Sequence, residues 1–317
     1  MTRPHAFLSC LAASALLSAC GGGGSDSSAA STAAAASSSD GSTVSNGSTS
    51  TYAANSAQAS AFQRLNAART QCGFGALSQA VELDVAAAAH AKYMSANNAY
   101  GHIETQGLPG FTGAAPPDRA TAAGYRWGFS GEALAQVNSS DTGADAVRGL
   151  LAAPYHAALL LNGFRDAGIG WSPVGGLPVL TLDLGTRLGQ SNPSVSGVAT
   201  YPCSGINDAV PVAGAESPSP FPANASARWG QPVTVRGPAD LRLNSVSITG
   251  PLGSVQLQAV YGDGQQADPN TTGDFTQGFF AIIPATLQAN TTYSVNIAYT
   301  TGGTAGTRNF SFTTASR

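Results

Sequence analysis

The chain has 317 residues, with 14 Lys and Arg against 17 Asp and Glu, and a formal charge of −3. Charged residues make up only 10% of it and form no basic stripe, which argues against a nucleic-acid binder. After the N-terminal leader, no segment approaches the roughly 18 consecutive apolar residues that read as a transmembrane helix.

Residues 1–19 read as a secretory signal. Arg3 supplies the basic start, and Ala6 to Leu17 is an apolar run of about a dozen residues, too short to cross a bilayer. Leu17-Ser18-Ala19-Cys20 closes the run and resembles the lipobox of bacterial lipoproteins. That resemblance implies cleavage before Cys20, lipid on its sulfur and amine, and a protein anchored to the membrane without spanning it. An ordinary secretory signal that happens to contain Cys20 is the alternative. Residues 20–57 are Gly, Ser, Ala and Thr with almost nothing else, and too little apolar surface to offset their ordering entropy. As a flexible linker they would reach roughly 33 Å. Gly21, in place of Asp, follows the cysteine; by analogy with lipoprotein sorting in Gram-negative bacteria this favours the outer membrane, periplasmic or surface-exposed.

A first folded domain is expected over 58–199. Ala61, Phe62, Leu65, Ala68 and Cys72 recur at helical spacing, and Gly73 stops them. A second helix follows Ser78, read as its N-cap, with Leu83, Ala86, Ala87, His90, Tyr93 and Met94 in its stripe. Pro116-Pro117-Asp118 starts a short helix, and Asp141 to Leu151 is another. Ala167 to Trp171 and Pro178 to Leu184, joined at Gly175-Gly176, read as an antiparallel hairpin. Helices first and paired strands later predict an α+β fold. Cys10 leaves with the signal and Cys20 takes lipid, so Cys72 and Cys203 remain. In an oxidising envelope they are most simply a disulfide, with two free buried thiols as the alternative.

In this order, these residues resemble the bacterial branch of the CAP superfamily. Leu65-Asn66-Ala67-Ala68-Arg69 looks like its opening helix, and Ala86 to Met94 like its second. Tyr100-Gly101-His102 stands where the family places its first His. Gly131-Glu132-Ala133 resembles the Gly-Glu-Asn element, and Pro154-Tyr155-His156 the Pro-Gly-His element. Gly168-Ile169-Gly170 and the strand ending at Gly185 fit the closing hairpin. The resemblance implies a CAP-type α-β-α sandwich and a cleft holding His102, Glu132 and His156. Ala133 replaces the family's Asn. A second acidic residue, present in many eukaryotic members, has no evident counterpart, and Asp145 is expected on the wrong face.

Two imidazoles and a carboxylate suit zinc, with a water in the fourth place that becomes a nucleophile near neutral pH. His102, Glu132 and His156 are therefore the candidate catalytic and metal residues; without metal, the same side chains would stitch loops onto the sheet. His90 is expected to be a packed histidine and Glu104 a solvated one-off. No His-Glu-x-x-His or Gly-x-Ser-x-Gly motif occurs.

Over 200–317 the pattern changes to period-2 segments: Pro232 to Arg236, Leu243 to Ile248, Val255 to Tyr261, Phe279 to Ile283, Thr292 to Tyr299 and Phe310 to Thr314. They predict an all-β sandwich, and Leu287 to Val295 with Phe310 to Thr314 resembles the end of bacterial Ig-like modules. Tyr201-Pro202 through Glu216-Ser217-Pro218 resembles the junction after bacterial CAP domains. The second domain is expected to be a spacer or stabilising partner. The sequence thus points to an envelope lipoprotein that binds an apolar or cell-surface ligand in the CAP cleft. A metal-dependent hydrolase and a purely structural surface protein are the rivals.

Overall fold

The computed structural model describes residues 50–224 and 226–317. The signal, Cys20 and most of the linker lie outside the described residues. No described helix is long and apolar enough to cross a membrane. The described residues all belong to one compact unit.

The chain is docked earlier than the linker reading allowed. Thr51 donates its backbone N–H to Gln79, and the Tyr52 hydroxyl donates to Asp84 while its ring meets Phe62 edge-on. Tyr52, the single aromatic of that stretch, is half-buried and ties the otherwise exposed residues 51–55 to the fold. Ser56 then caps helix α1 (Ala57–Gln71), accepting from the Ala59 N–H. Helix α2 is Val81–Asn97, α3 Pro116–Ala122, α4 Gly143–Leu151 and α5 Pro154–Leu160. Ser78 does not cap α2. It pairs with Asp166 as part of β1 (Ser78–Gln79), the single parallel pairing of the first sheet, and Ala80 stands at the cap.

That sheet has the order β1-β3-β4-β2, with β2 Trp127–Gln136, β3 Asp166–Val174 and β4 Leu177–Arg187. Gly175 and Gly176 both have positive φ, which the two-residue turn between β3 and β4 requires. Gly168 and Gly170 answer to packing. A Cβ there would lie 2.1 Å from the Leu83 carbonyl carbon and 2.2 Å from the Ala87 carbonyl oxygen, so α2 can lie against β3 only over glycine. Helix α2 covers one face of the sheet, and α1 and α4 pack on the other. The α-β-α order and the hairpin agree with the sequence. β2 and α5 were not legible as elements: β2 carries polar and glycine residues at its start, and α5 is too short for a periodic stripe.

The opening motif has a structural reason. Arg69 is fully buried and donates to four carbonyls, those of Gly75, Phe74, Leu160 and Asn162. Asn66 bonds both backbone groups of Leu77. Two buried polar side chains thereby close backbone groups that would otherwise lack partners.

The remaining strands form two antiparallel four-stranded sheets. One has the order β5-β6-β10-β9 (Ala199–Tyr201, Val233–Arg236, Phe279–Pro284, Leu257–Tyr261). The other is β12-β11-β7-β8 (Thr304–Thr313, Thr292–Thr301, Arg242–Gly250, Gly253–Ser254). Each expected period-2 segment falls on a strand. The core is continuous across the molecule, from Phe62, Leu65 and Leu182 through Trp229 and Phe280 to Val295 and Phe312. Cys72 and Cys203 form a disulfide, tying the junction between the two halves to the end of α1.

Candidate functional site

His102 sits in the loop after α2, and buried charges hold that loop. His90, on α2, places Nε2 2.9 Å from the Gly101 carbonyl oxygen and Nδ1 2.9 Å from Glu104. Arg119, on α3, donates to the His102 carbonyl and, at 2.6 Å, to Glu132 Oε2. Glu104 also accepts from the Thr112 N–H, and Tyr93 accepts through its hydroxyl from the Thr105 N–H. His90, Glu104 and Arg119 are all buried. His90 is thus the packed histidine that was expected. Glu104 is not solvated: it is 2% exposed, because its carboxylate meets the buried His90 ring on one side and accepts from the Thr112 N–H on the other.

Glu132 lies on β2 and accepts from His102 Nδ1 at 2.8 Å through Oε1. Burial works to raise its carboxyl, but the His102 hydrogen bond, then the charges of Arg119 and His90, hold it below the ordinary carboxylate range. Asp183 stands opposite Glu132 in the β2–β4 register and neither of its oxygens meets a protein donor. Burial, and then the charge of Glu132, push the Asp183 carboxyl well above its usual range. Of the two facing carboxyls, Asp183 is therefore the one that keeps its proton more readily and Glu132 the one that gives it up. Asp183 had no mark in the sequence beyond its place in an apolar strand.

His156 is in the first turn of α5, where Ala153 offers no capping side chain. The cap comes from Glu216, in the segment that follows β5. Its Oε1 accepts from the His156 backbone N–H at 2.9 Å and from Nδ1 at 2.8 Å. The two helices around His156 are closed by the same half of the chain: Trp229 donates to the Ala152 carbonyl and Gln231 to that of Leu151. The Tyr155 hydroxyl bonds Asp268 and accepts from Asn270. The carboxylate that meets His156 is thus Glu216, 60 residues beyond it in the chain. Asp145 instead completes a capping box with Thr142 at the start of α4.

Both histidines line one cavity of about 580 Å³ along β2, one of the two edge strands of the first sheet. Leu134, Ala135, Val137, Ala146, Leu150 and Ala153 give it an apolar lining, and Gly214 to Ser217 form a further wall. Each ring has Nδ1 on a carboxylate, so Nε2 is its open position; the side chains are 44% and 17% exposed for His102 and His156. The structure pairs His102 with Glu132 and His156 with Glu216. It does not gather the expected zinc ligands: both Glu132 oxygens are engaged, and among the described residues no three His, Cys, Asp or Glu side chains are placed to hold one ion. As folded, these residues do not fit zinc.

Residues 62–183 match the family model of CAP, the cysteine-rich secretory protein family, and the chain carries a CAP domain there. A solved structure of an extracellular protein containing an SCP domain, from Bacillus anthracis str. Ames, is 23% identical with a TM-score of 0.35. The match covers 41% of this chain and 40% of that one, so the chain spans less than half of its length. No curated protein matches the chain.

Proposed function

We propose that this CAP-domain protein is an envelope-anchored binding protein whose cleft takes an amphiphilic ligand, with Cys20 as its lipid anchor. One observation carries the reading of the cleft: a single cavity of about 580 Å³ with an apolar lining and two histidines at its polar side. That volume is within the roughly 300–1,000 Å³ of small-molecule sites, which are mostly apolar with a few placed polar groups. The test is titration of the chain from Ser50 onward with a dansylated fatty acid, read by fluorescence. Ala135→Phe, which puts a ring into the cavity, is expected to weaken binding at least about tenfold. Equal binding by both proteins overturns the reading.

A hydrolase is the second reading, and the observation favouring it is His102 oriented by Glu132 as a base is oriented by a carboxylate. Ser217 also lines the cavity, yet among the described residues no hydrogen bond joins its hydroxyl to either ring. Hydrolysis of p-nitrophenyl laurate by the wild type, abolished in His102→Ala, would move the conclusion to this reading.

The anchor has its own test. Cys20→Ala is expected to release the protein from the membrane fraction and to abolish labelling by radioactive palmitate. A wild type that never takes the label refutes the lipid.

A further inference from the structure

We infer that the two histidines select a hydroxyl-bearing headgroup, and that Glu216 is the positioning residue that makes the second of them competent. This rests on the cavity being an amphiphile site. The rim is built twice in the same way. His102 is held through Nδ1 by buried Glu132, and His156 through Nδ1 by Glu216, whose side chain is fully buried. In each ring Nδ1–H donates to the carboxylate, which leaves Nε2 for a ligand in the cavity that both rings line. A neutral ring then offers an acceptor at Nε2, and a protonated ring offers a donor. A hydroxyl suits both states, since it donates to the first and accepts from the second. An ammonium group suits only the first and a carboxylate only the second.

Glu216 carries a further sign of purpose. Oε1 receives both His156 hydrogen bonds, while Oε2 is buried with no partner. Leaving a carboxylate oxygen so is costly, and a helix cap alone would be served by Ser or Asn at Ala153. Glu216 comes from outside the segment that matches the CAP model, so the second half of the chain does more than support the fold. It supplies a wall of the cavity and sets the ring of His156. The ligand class that fits is a lipid of one or a few acyl chains whose head presents at least two hydroxyls, as a monoglyceride does.

The experiment compares 1-monolauroylglycerol with methyl laurate, which has the same acyl chain and no hydroxyl, by calorimetry below the aggregation concentration of each. The wild type is expected to prefer the monoglyceride by about tenfold or more, the worth of one to two retained hydrogen bonds. Glu216→Ala, and the better-tolerated Glu216→Gln and His156→Phe, are expected to weaken monoglyceride binding by more than they change methyl laurate binding, and so to shrink that preference. Long-range proton–nitrogen NMR is the second readout: Nε2 of His102 and of His156 should shift on adding the monoglyceride and stay in place with methyl laurate. Equal affinities for the two lipids, or variants that weaken both equally, would overturn the headgroup assignment while leaving the cavity reading intact. Binding of neither lipid overturns both.

Discussion

The two histidines of the cleft are fixed by opposite means. His102 is held from within the α/β half, by a closed group of buried charges on α2, α3 and β2. Its carboxylate lies 30 residues away and Arg119 sits between. His156 is held by a single carboxylate that arrives from the other half, and the helices around it are closed by Trp229, Gln231 and Asn270 from that half as well. The first is a local device that a CAP segment carries by itself. The second depends on how the β-sheets dock, so one cavity has one rim set by local sequence and one set by tertiary packing.

Removing the disulfide should separate them most. Its partners are 131 residues apart, and in the chain-entropy account such a loop is worth about 5 kcal/mol. The Cys72→Ser/Cys203→Ser variant should lose most of that in chemical denaturation. In what remains folded, NMR should show the His156 resonances broadened before those of His102, because Cys203 anchors the segment that carries Glu216.

Arg119→Met attacks the other rim. It leaves Glu132 and Glu104 buried without their cation, at about 3–5 kcal/mol. The His102 resonances should change while the His156–Glu216 contact persists. Loss of both would show that the rims are not independent.

A smaller effect is expected from Trp229→Phe, which keeps the ring in the core and deletes the donor to the Ala152 carbonyl. The cost should be about 1–3 kcal/mol, felt on the His156 side only.

The smallest effect is a slope. The Asp183 carboxyl is raised in the fold above its unfolded value of about 3.9, so its contribution to stability falls as pH rises above that value. One mismatched proton amounts to about 1.4 kcal/mol per pH unit, until the pH reaches the raised folded value. Glu132 has the opposite sign: its lowered value contributes stability above about pH 4.3, lost as the medium becomes more acid. Asp183→Asn removes the first term alone. Its stability relative to the wild type should therefore improve from pH 4 upward, measured by urea denaturation across pH. A flat difference would mean that Asp183 is not held neutral.

Much of the first rim was legible because its residues stand in short, ordered motifs. Gly131-Glu132 and Tyr100-Gly101-His102 identify a carboxylate and an imidazole, and Gly168-Ile169-Gly170 marks the close approach of α2. The His156 motif was equally visible, but its partner was not. Glu216 sits in a Pro- and Gly-rich junction with no periodicity, where nothing local distinguishes a buried carboxylate from a solvated one. Glu104 was misjudged for the same reason: its burial depends on His90 and Thr112 folding over it. Tyr52 drew residues 51–56 into the fold through Phe62 and Asp84, which composition alone could not foresee.

The sequence by itself determined the helices and strands whose apolar spacing exceeds two turns or four alternating positions, the turn glycines, and the two cavity histidines together with the buried carboxylate that holds the first of them. Only the tertiary structure decided that Glu132 and Glu216 divide the histidines between them, that the β-sheets share one core with the α/β half, and that the cleft has a wall from beyond the CAP segment. Periodicity reports which face of an element is buried, because burial of that face is local and repeated. Pairing between single polar side chains 60 residues apart depends on the whole chain being packed, and it leaves no repeating pattern to read.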